Sequence, residues 1–455
     1  MIASKSNGLQ VMNTNYSSSD SDSSDDELLF SAASTLAQKK RRAPKVDRSV
    51  DERAAWSRLN WEEHVEAKLR AKEWHTYYHM PVHVFSNLHS LLFTETEQEK
   101  EVSRRKGANS TRMGFIQTEV KLAATLRELF GEKRKSMVDI FHIAPTSART
   151  AFLNVIRRIN TCQELEGSVY ATDQSPEVLA ERAFAFQKRT TYPNIFRHCV
   201  GAIDGLFIKT QQPRLREVGN VRAYYSGHKK GFGLNMQATC DAQCRIIAFS
   251  CNTPGSTNDY VAFRHSFMYG HWPTLPSPYF YLGDCAYPLA PHCLTPFIGS
   301  AISVAQDAFN FYHSQLRITV ERCFGIFVNV FGIFHAPLTF SIKVCVEVVE
   351  ACVRLHNFRI NSGVQHVARK VTSGATFRLE VNERSTDVFD VLDDERYLTD
   401  RPHMHDAAYE GYVRTAEQAG MLPAAAAAGA SRRDVLSLAL TQVGAQRPAA
   451  NARVM

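Results

Sequence analysis

The amino-acid sequence predicts an α/β fold, a mixed sheet flanked by helices, preceded by an all-helical region with a helix-turn-helix-like segment. Three observations lead there. Between Cys199 and Asp284 apolar runs of strand length alternate with turn residues. Over residues 51–166 the apolar positions follow a helical period instead, as in Trp56, Leu59, Val65 and Leu69. Finally, acidic residues interrupt runs that would otherwise be core: Asp204 in GAIDGLFIKT, Asp284 in YFYLGDCAYPLAP and Glu321 in FNFYHSQLRITVERCFG.

At 455 residues the chain exceeds one ordinary domain, and its 44% apolar and 22% charged content is that of a globular protein. Residues 1–48 read as a disordered tail, because SSSDSDSSDDE is poor in apolar side chains and dense in Ser and acid. Lys39, Lys40, Arg41 and Arg42, with Lys45 after Pro44, resemble a nuclear localisation signal, and a solvated charge cluster fits the same residues. Residues 49–166 form the helical region. Within it, KLAATLRELFGEKRKSMVDIFHIAPTSARTAFLNVIRRIN predicts a helix ending at Gly131, a short one over 137–141 and a third opening after Pro145. Thr146 or Ser147 would cap that third helix, since a hydroxyl there accepts from orphan backbone donors. Short helix, turn and long helix is the helix-turn-helix order. A third helix lying in a major groove would present Ser147, Arg149, Thr150 and Asn154; a plain bundle bracing the core uses the same pattern.

Residues 167–198 connect the two parts. The catalytic segment, 199–362, opens with the strand CVGAIDGLFIKT; GFGLNMQATCD and CRIIAFSCN follow as strands joined through Asp241 and Gln243. After the Pro254-Gly255 turn, TNDYVAFRHSF is a helix and PYFYLGD a fourth strand. Residues 363–455 read as an irregular, Ala-rich tail in which 434–440 form a transient helix. The ten cysteines lie mostly in apolar runs and read as reduced, buried thiols. Cys240 and Cys244, with His292 and Cys293, only poorly imitate zinc-ligand spacing.

Asp204 and Asp284 sit where strand-like runs stop, and Glu321 shares a helical face with Asn310, Ser314 and Arg317. Three elements can therefore bring carboxylates to one point. Hard divalent cations take oxygen ligands, so such a point suits Mg2+ or Mn2+. Asp204 and Asp284 are 80 positions apart and Glu321 follows 37 later. With NTPGSTNDYVAFRHS, GDCAYPLAPHCLTPF and VERCFG, this order resembles the DDE superfamily endonucleases, specifically the PIF/Harbinger transposases and the nucleases derived from them. The resemblance runs from about Cys199 to about Asn361 and more weakly back to Trp74. It implies a ribonuclease-H-like catalytic core, catalytic and metal-binding roles for Asp204, Asp284 and Glu321, and a two-metal cleavage of DNA in the nucleus. Strand transfer and a separate Myb-like DNA-binding partner are further implications of the family, and oligomeric state is left open.

Around this triad, Asp259 matches another acidic position of the family pattern and reads first as a first-turn helix acid favoured by the macrodipole. Arg149, Arg222, Lys229, Lys230 and Arg317 are the candidate DNA contacts, the middle three in PRLREVGNVRAYYSGHKKGFG, where cations alternate with aromatics. A charged hairpin tip fits those residues equally. One departure from the family stands out: Val328 and Val330 occupy places where basic residues are expected, which would weaken the grip on DNA or mark a derivative that no longer cleaves. The net charge of +7 leans modestly towards a polyanionic partner. No basic-then-apolar leader and no charge-free apolar run of membrane length occurs, so no membrane partner is expected.

Overall fold

A computed structural model describes residues 58–93, 115–166, 174–299, 301–364 and 423–448, together with the paired short strands Val367–Ala368 and Leu379–Glu380. The predicted acidic tail and the basic run at Lys39 to Arg42 lie outside the described residues.

Among the described residues, seven helices make up the region before the connector: α1 (Trp61–Arg70), α2 (Trp74–Tyr78), α3 (Val82–Leu92), α4 (Thr118–Leu129), α5 (Arg134–Phe141), α6 (Pro145–Thr161) and α7 (Gln163–Glu166). Asn60 caps α1 by accepting from the Glu63 backbone N–H, and Glu62 and Glu63 favour its first turn as Lys68 and Arg70 favour its last. Trp61, Trp74, Tyr78 and Phe85 then gather into one aromatic cluster. α4 ends as predicted before Gly131, whose φ of +99° few other residues adopt. A Cβ on Gly131 would meet the Gly332 backbone at 3.1 Å, and one on Gly332 would meet Phe130 O at 2.7 Å. Two glycines thus let the helical region and the catalytic part touch backbone to backbone.

The predicted cap of α6 is corrected. Ala144 is the N-cap and Pro145 the first helical residue, so Thr146 and Ser147 fall inside the first turn and no side chain caps it. Proline there lacks the N–H that a cap would satisfy and presets the helical φ. Ala148, Phe152, Val155, Ile156 and Ile159 bury one face of α6 between α4 and a later helix, α13 (Ile342–Asn361). Asn160 donates to Glu347 O at 2.9 Å, and the Phe152 and Phe340 rings stack. Arg359, wholly buried on α13, donates twice to His79 O. One continuous apolar core therefore runs from the helical region into the sheet.

Within the predicted connector, residues 176–187 form a helix, α8 (Pro176–Gln187), packed on the first strand through Leu179 and Ala183. The sheet comprises β1 (Cys199–Lys209), β2 (Tyr225–Ser226), β3 (Gly231–Cys240), β4 (Ile246–Pro254), β5 (Phe280–Leu282) and β6 (Cys293–Leu294). The sequence located β1, β3, β4 and β5. Across the sheet the order is β4-β3-β1-β5-β6, with β2 beside β3. β3 runs antiparallel to β1 and β4, whereas β5 runs parallel to β1 and β6. The hairpin between β3 and β4 closes on Asp241, which accepts from the Gln243 and Arg245 backbone N–H groups.

Val200 and Ile203 of β1 meet Leu179, Phe263 and Trp272 on one side of the sheet, beside α10 (Asp259–Arg264) and α11 (Phe267–His271). Ala202 and Ile208 face the larger core with α12 (Val304–Val330) and α13. The one-turn helix α9 (Leu215–Val218) lies between β1 and β2. Ser303 opens α12 with a reciprocal capping box to Gln306, and Ser341 caps α13.

The C-terminal segment differs from the irregular tail predicted for it. α14 (Pro423–Gln442) is a docked helix: Gly429 approaches the Ala290 backbone, Leu440 is fully buried, and Arg432 donates to the carbonyls of Pro278, Tyr279 and Pro291. Arg433 donates to Thr295 and Pro296 and lies over the Phe297 ring. Loop carbonyls that the sheet leaves unpaired thus find donors 140 residues later. All ten cysteines are free, nine of them buried. No helix among the described residues is long and apolar enough to cross a membrane.

Candidate active site

Ala202 of β1 lies level with Leu282 of β5. Asp204 and Asp284, each two residues further along parallel neighbours, are therefore level with one another, Asp204 in the middle of β1, against the expectation that its strand stops there, and Asp284 just past the carboxyl end of β5, where open α/β sheets place ligands. α12 crosses β1 and supplies Arg317 and Glu321 one turn apart. The Arg317 Nη1 lies 2.8 Å from Glu321 Oε1 and 3.7 Å from Asp204 Oδ2. One guanidinium thus ties the first strand's carboxylate to the helix's.

Asp204 accepts from the Gly205 N–H at 2.7 Å, and Asp284 accepts from the Ala286 N–H at 2.9 Å. Burial and then the charge of Asp284 push the Asp204 carboxyl up to about 7, against the opposing pull of Arg317. Burial works against the charge of Arg317, but Glu321, Asp204 and Asp284 outweigh it and hold the guanidinium protonated more firmly than usual. The negative charge at this site exceeds what one arginine neutralises.

A polar layer beneath the carboxylates has a weaker signature in sequence. Asp259 Oδ1 accepts from Asn235 Nδ2 at 3.0 Å and Gln237 Nε2 at 2.9 Å, and the Tyr287 hydroxyl donates to Gln237 Oε1 at 2.5 Å. A Cβ on Gly205 would fall 2.3 Å from Asp259 Oδ1, so Asp259 stands directly beside Asp204's neighbour. Burial, then Asp204, Asp259 and Asp284, raise the Tyr287 hydroxyl well above its ordinary value. Asp259 does open α10, as the macrodipole reading expects, but its carboxylate is engaged in this layer. The signal in LNMQATC was two amides at alternate positions of a buried strand.

The other candidates separate. Arg317 is held in the acidic site. Asn310, predicted on the same face as Glu321, exchanges two hydrogen bonds with the Phe297 backbone instead. Arg149, Thr150 and Asn154 are exposed along α6, while Ser147 is half-buried. Arg222, Lys229 and Lys230 are exposed in the loop between β1 and β3. Val330 belongs to the core at 1% exposed and Val328 packs against that core, leaving Gly325 and Asn329 as the open positions of that helix end. Nine positions along α12 from Glu321, about two and a half turns, Val330 falls on the opposite, inner face of the helix.

The donors fit a hard divalent cation in type, since all three are carboxylates and Asp204 carries uncompensated repulsion. Among the described residues no three His, Cys, Asp or Glu side chains are drawn closely enough to hold a metal ion as they stand, Glu321 and Asp204 being turned to Arg317.

Residues 203–357, which span all three carboxylates, match the family described as DDE superfamily endonuclease. Protein ALP1-like of Arabidopsis thaliana is 26% identical over 201 residues, 41% of this chain and 48% of that protein. The mouse (Mus musculus) protein named Putative nuclease HARBI1 is 24% identical over 170 residues, 36% of this chain and 47% of that protein. The chain thus spans about half the length of the curated relatives it matches. No solved structure matches it. The segment that carries the three carboxylates is thus similar to the DDE superfamily endonucleases, and the named relatives agree with the PIF/Harbinger-type resemblance of its motifs.

Proposed function

We propose that this protein is a metal-dependent DNA endonuclease, a DDE transposase or a derivative of one. The observation that carries the reading is the pairing of Arg317 with both Asp204 and Glu321, with Asp284 level with Asp204 on the neighbouring parallel strand. Support comes from the strand order β4-β3-β1-β5-β6, three antiparallel strands followed by two parallel ones, which is the ribonuclease-H-like arrangement. Asp204, Asp284 and Glu321 would hold Mg2+ or Mn2+. Bound there, the cations would stabilise charge on the phosphate and on the attacking and leaving oxygens. Arg317 pairs with Glu321 and with Asp204 and so ties the two together, while the Asn235, Gln237, Asp259 and Tyr287 layer fixes the backbone on which Asp204 and Asp284 stand. Exposed Arg222, Lys229 and Lys230 contact the DNA backbone near the site, and Arg149, on α6 of a helix-turn-helix, contacts it further away. Strand transfer by the freed 3′-hydroxyl, nuclear import through Lys39 to Arg42 and help from a Myb-like DNA-binding partner belong to the same reading.

A second reading has one observation in its favour. Arg317 already neutralises Glu321 at 2.8 Å, which suits a nuclear DNA-binding or scaffolding protein that keeps the fold without cleaving. Incubating supercoiled plasmid with the full chain and Mn2+ separates the two. The endonuclease nicks, and Asp204→Asn, Asp284→Asn and Glu321→Gln each abolish nicking without unfolding the protein. DNA binding with no nicking by the parent chain would instead establish the second reading.

A further inference from the structure

The segment from Thr210 to Gly231, between β1 and β3, holds five Arg or Lys residues against one carboxylate, Glu217, a net of +4 in a chain of +7. Arg214, Arg216, Arg222, Lys229 and Lys230 are all exposed, and none of them forms an ion pair among the described residues. The single carboxylate, itself exposed, is already engaged, accepting from the Ile342 N–H at the start of α13. Between Arg214 and Arg216, Leu215 is 67% exposed on the one-turn helix α9, and Tyr225 is 43% exposed beyond it. An exposed leucine alone is ordinary. Here it stands on a braced base: Gln211 N–H donates to Leu338 O, Leu338 N–H to Lys209 O, and Ser256 N–H to Ala223 O. The loop holds Leu215 out in water on several fixed contacts to the core.

Its position is fixed by the strand that leads to it. β1 continues five residues past Asp204 to Lys209, about 16 Å at strand rise, on the side of the sheet towards which β5 delivers Asp284. Five unpaired cations disfavour a second copy of the same surface and suit a polyanion. Apolar side chains flanked by cations are how proteins pry open base steps and kink a duplex.

We propose that this loop is a DNA-deforming wedge: Arg214 and Arg216 straddle phosphates while Leu215 inserts between adjacent base pairs of the duplex whose bond is cut at Asp204. The proposal rests on the reading of the carboxylate site as one that acts on DNA. Insertion bends the duplex and so presents the strand to the carboxylates.

The test uses the full chain and a random-sequence duplex of about 30 base pairs, dye-labelled at both ends and titrated over a range of salt. The parent shortens the end-to-end distance on binding. Leu215→Ala keeps the slope of log affinity against log salt, because no phosphate contact is lost, but forfeits the bend and roughly ten-fold in affinity. Leu215→Phe retains the bend. Arg216→Ala reduces the slope by about 0.9. An undiminished bend with Leu215→Ala overturns the wedge, as does binding to anionic lipid vesicles without any bending of DNA. The two claims fail separately: a parent that bends DNA in a Leu215-dependent way yet never nicks it refutes the cleavage reading alone. A parent that binds no duplex refutes both.

Discussion

Replacing Arg317 with Gln removes the cation to which Asp204 and Glu321 are paired while leaving a polar side chain. At 2.8 and 3.7 Å the gross attractions to Glu321 and Asp204 are about 6 and about 4.5 kcal/mol at an effective dielectric of about 20. Desolvating the three groups consumes most of that, and side-chain exposures of 20%, 21% and 28% let water screen part of the rest. A net loss of about 2 kcal/mol follows, or roughly 2 to 3 °C in Tm at this size. The informative part is its dependence on metal. A cation bound by the carboxylates offsets the repulsion that Arg317 had offset, and each favours the site at the other's expense. Metal at a hundred times its Kd stabilises the folded state by about 2.7 kcal/mol. Thermal unfolding of parent and Arg317→Gln across a Mn2+ titration is thus expected to show a gap that narrows as Mn2+ rises, the variant gaining more. A gap unchanged at every Mn2+ concentration would refute competition between arginine and metal for the same carboxylates.

Val330→Arg buries a cation in the core, so it should lower stability by several kcal/mol without steepening the salt dependence of DNA affinity; a steeper slope at unchanged Tm would return residue 330 to the DNA side. His313 and His356 are fully buried, and burial lowers them to about 3 and about 4. Each contributes stability that is full above an unfolded value of 6.5 and lost as pH falls towards the folded one, about 1.4 kcal/mol per pH unit. Melting between pH 7 and pH 5 checks this, and His356→Gln should flatten the decline; an equal decline in the variant would contradict it. Alanines at Lys39 to Arg42 should move a fluorescent fusion from nucleus to cytoplasm, and an unaltered distribution would assign import to another signal.

Much of the fold was legible because its strands are long and apolar. CVGAIDGLFIKT and GFGLNMQATC hold 11 and 10 strand residues, enough to outweigh any local alternative. β2 and β6, with two residues each, carry no period to detect and exist only because a neighbour pairs with them. α14 was hidden by composition: its alanines suit a flexible tail equally, and what orders it is a set of loop carbonyls 140 residues earlier. The three carboxylates were found because an acid in an apolar run is costly unless it has a partner. Asp259 was read as a local helix acid because its first-turn position is visible in sequence, while its bonds to Asn235 and Gln237 depend on how β3 and α10 pack. The sequence leaves the side of Val330 open for a similar reason, since its helix face is set by the core beneath α12.

The most direct test is the number of Mn2+ ions held by the chain in complex with duplex DNA, read from the paramagnetic signal lost from solution. Two ions per chain are expected, with binding reduced or abolished by Asp204→Asn, by Asp284→Asn and by Glu321→Gln in protein that melts as a folded chain. Mn2+ bound equally by the parent and by the triple variant would contradict the assignment of Asp204, Asp284 and Glu321 as the metal-holding carboxylates.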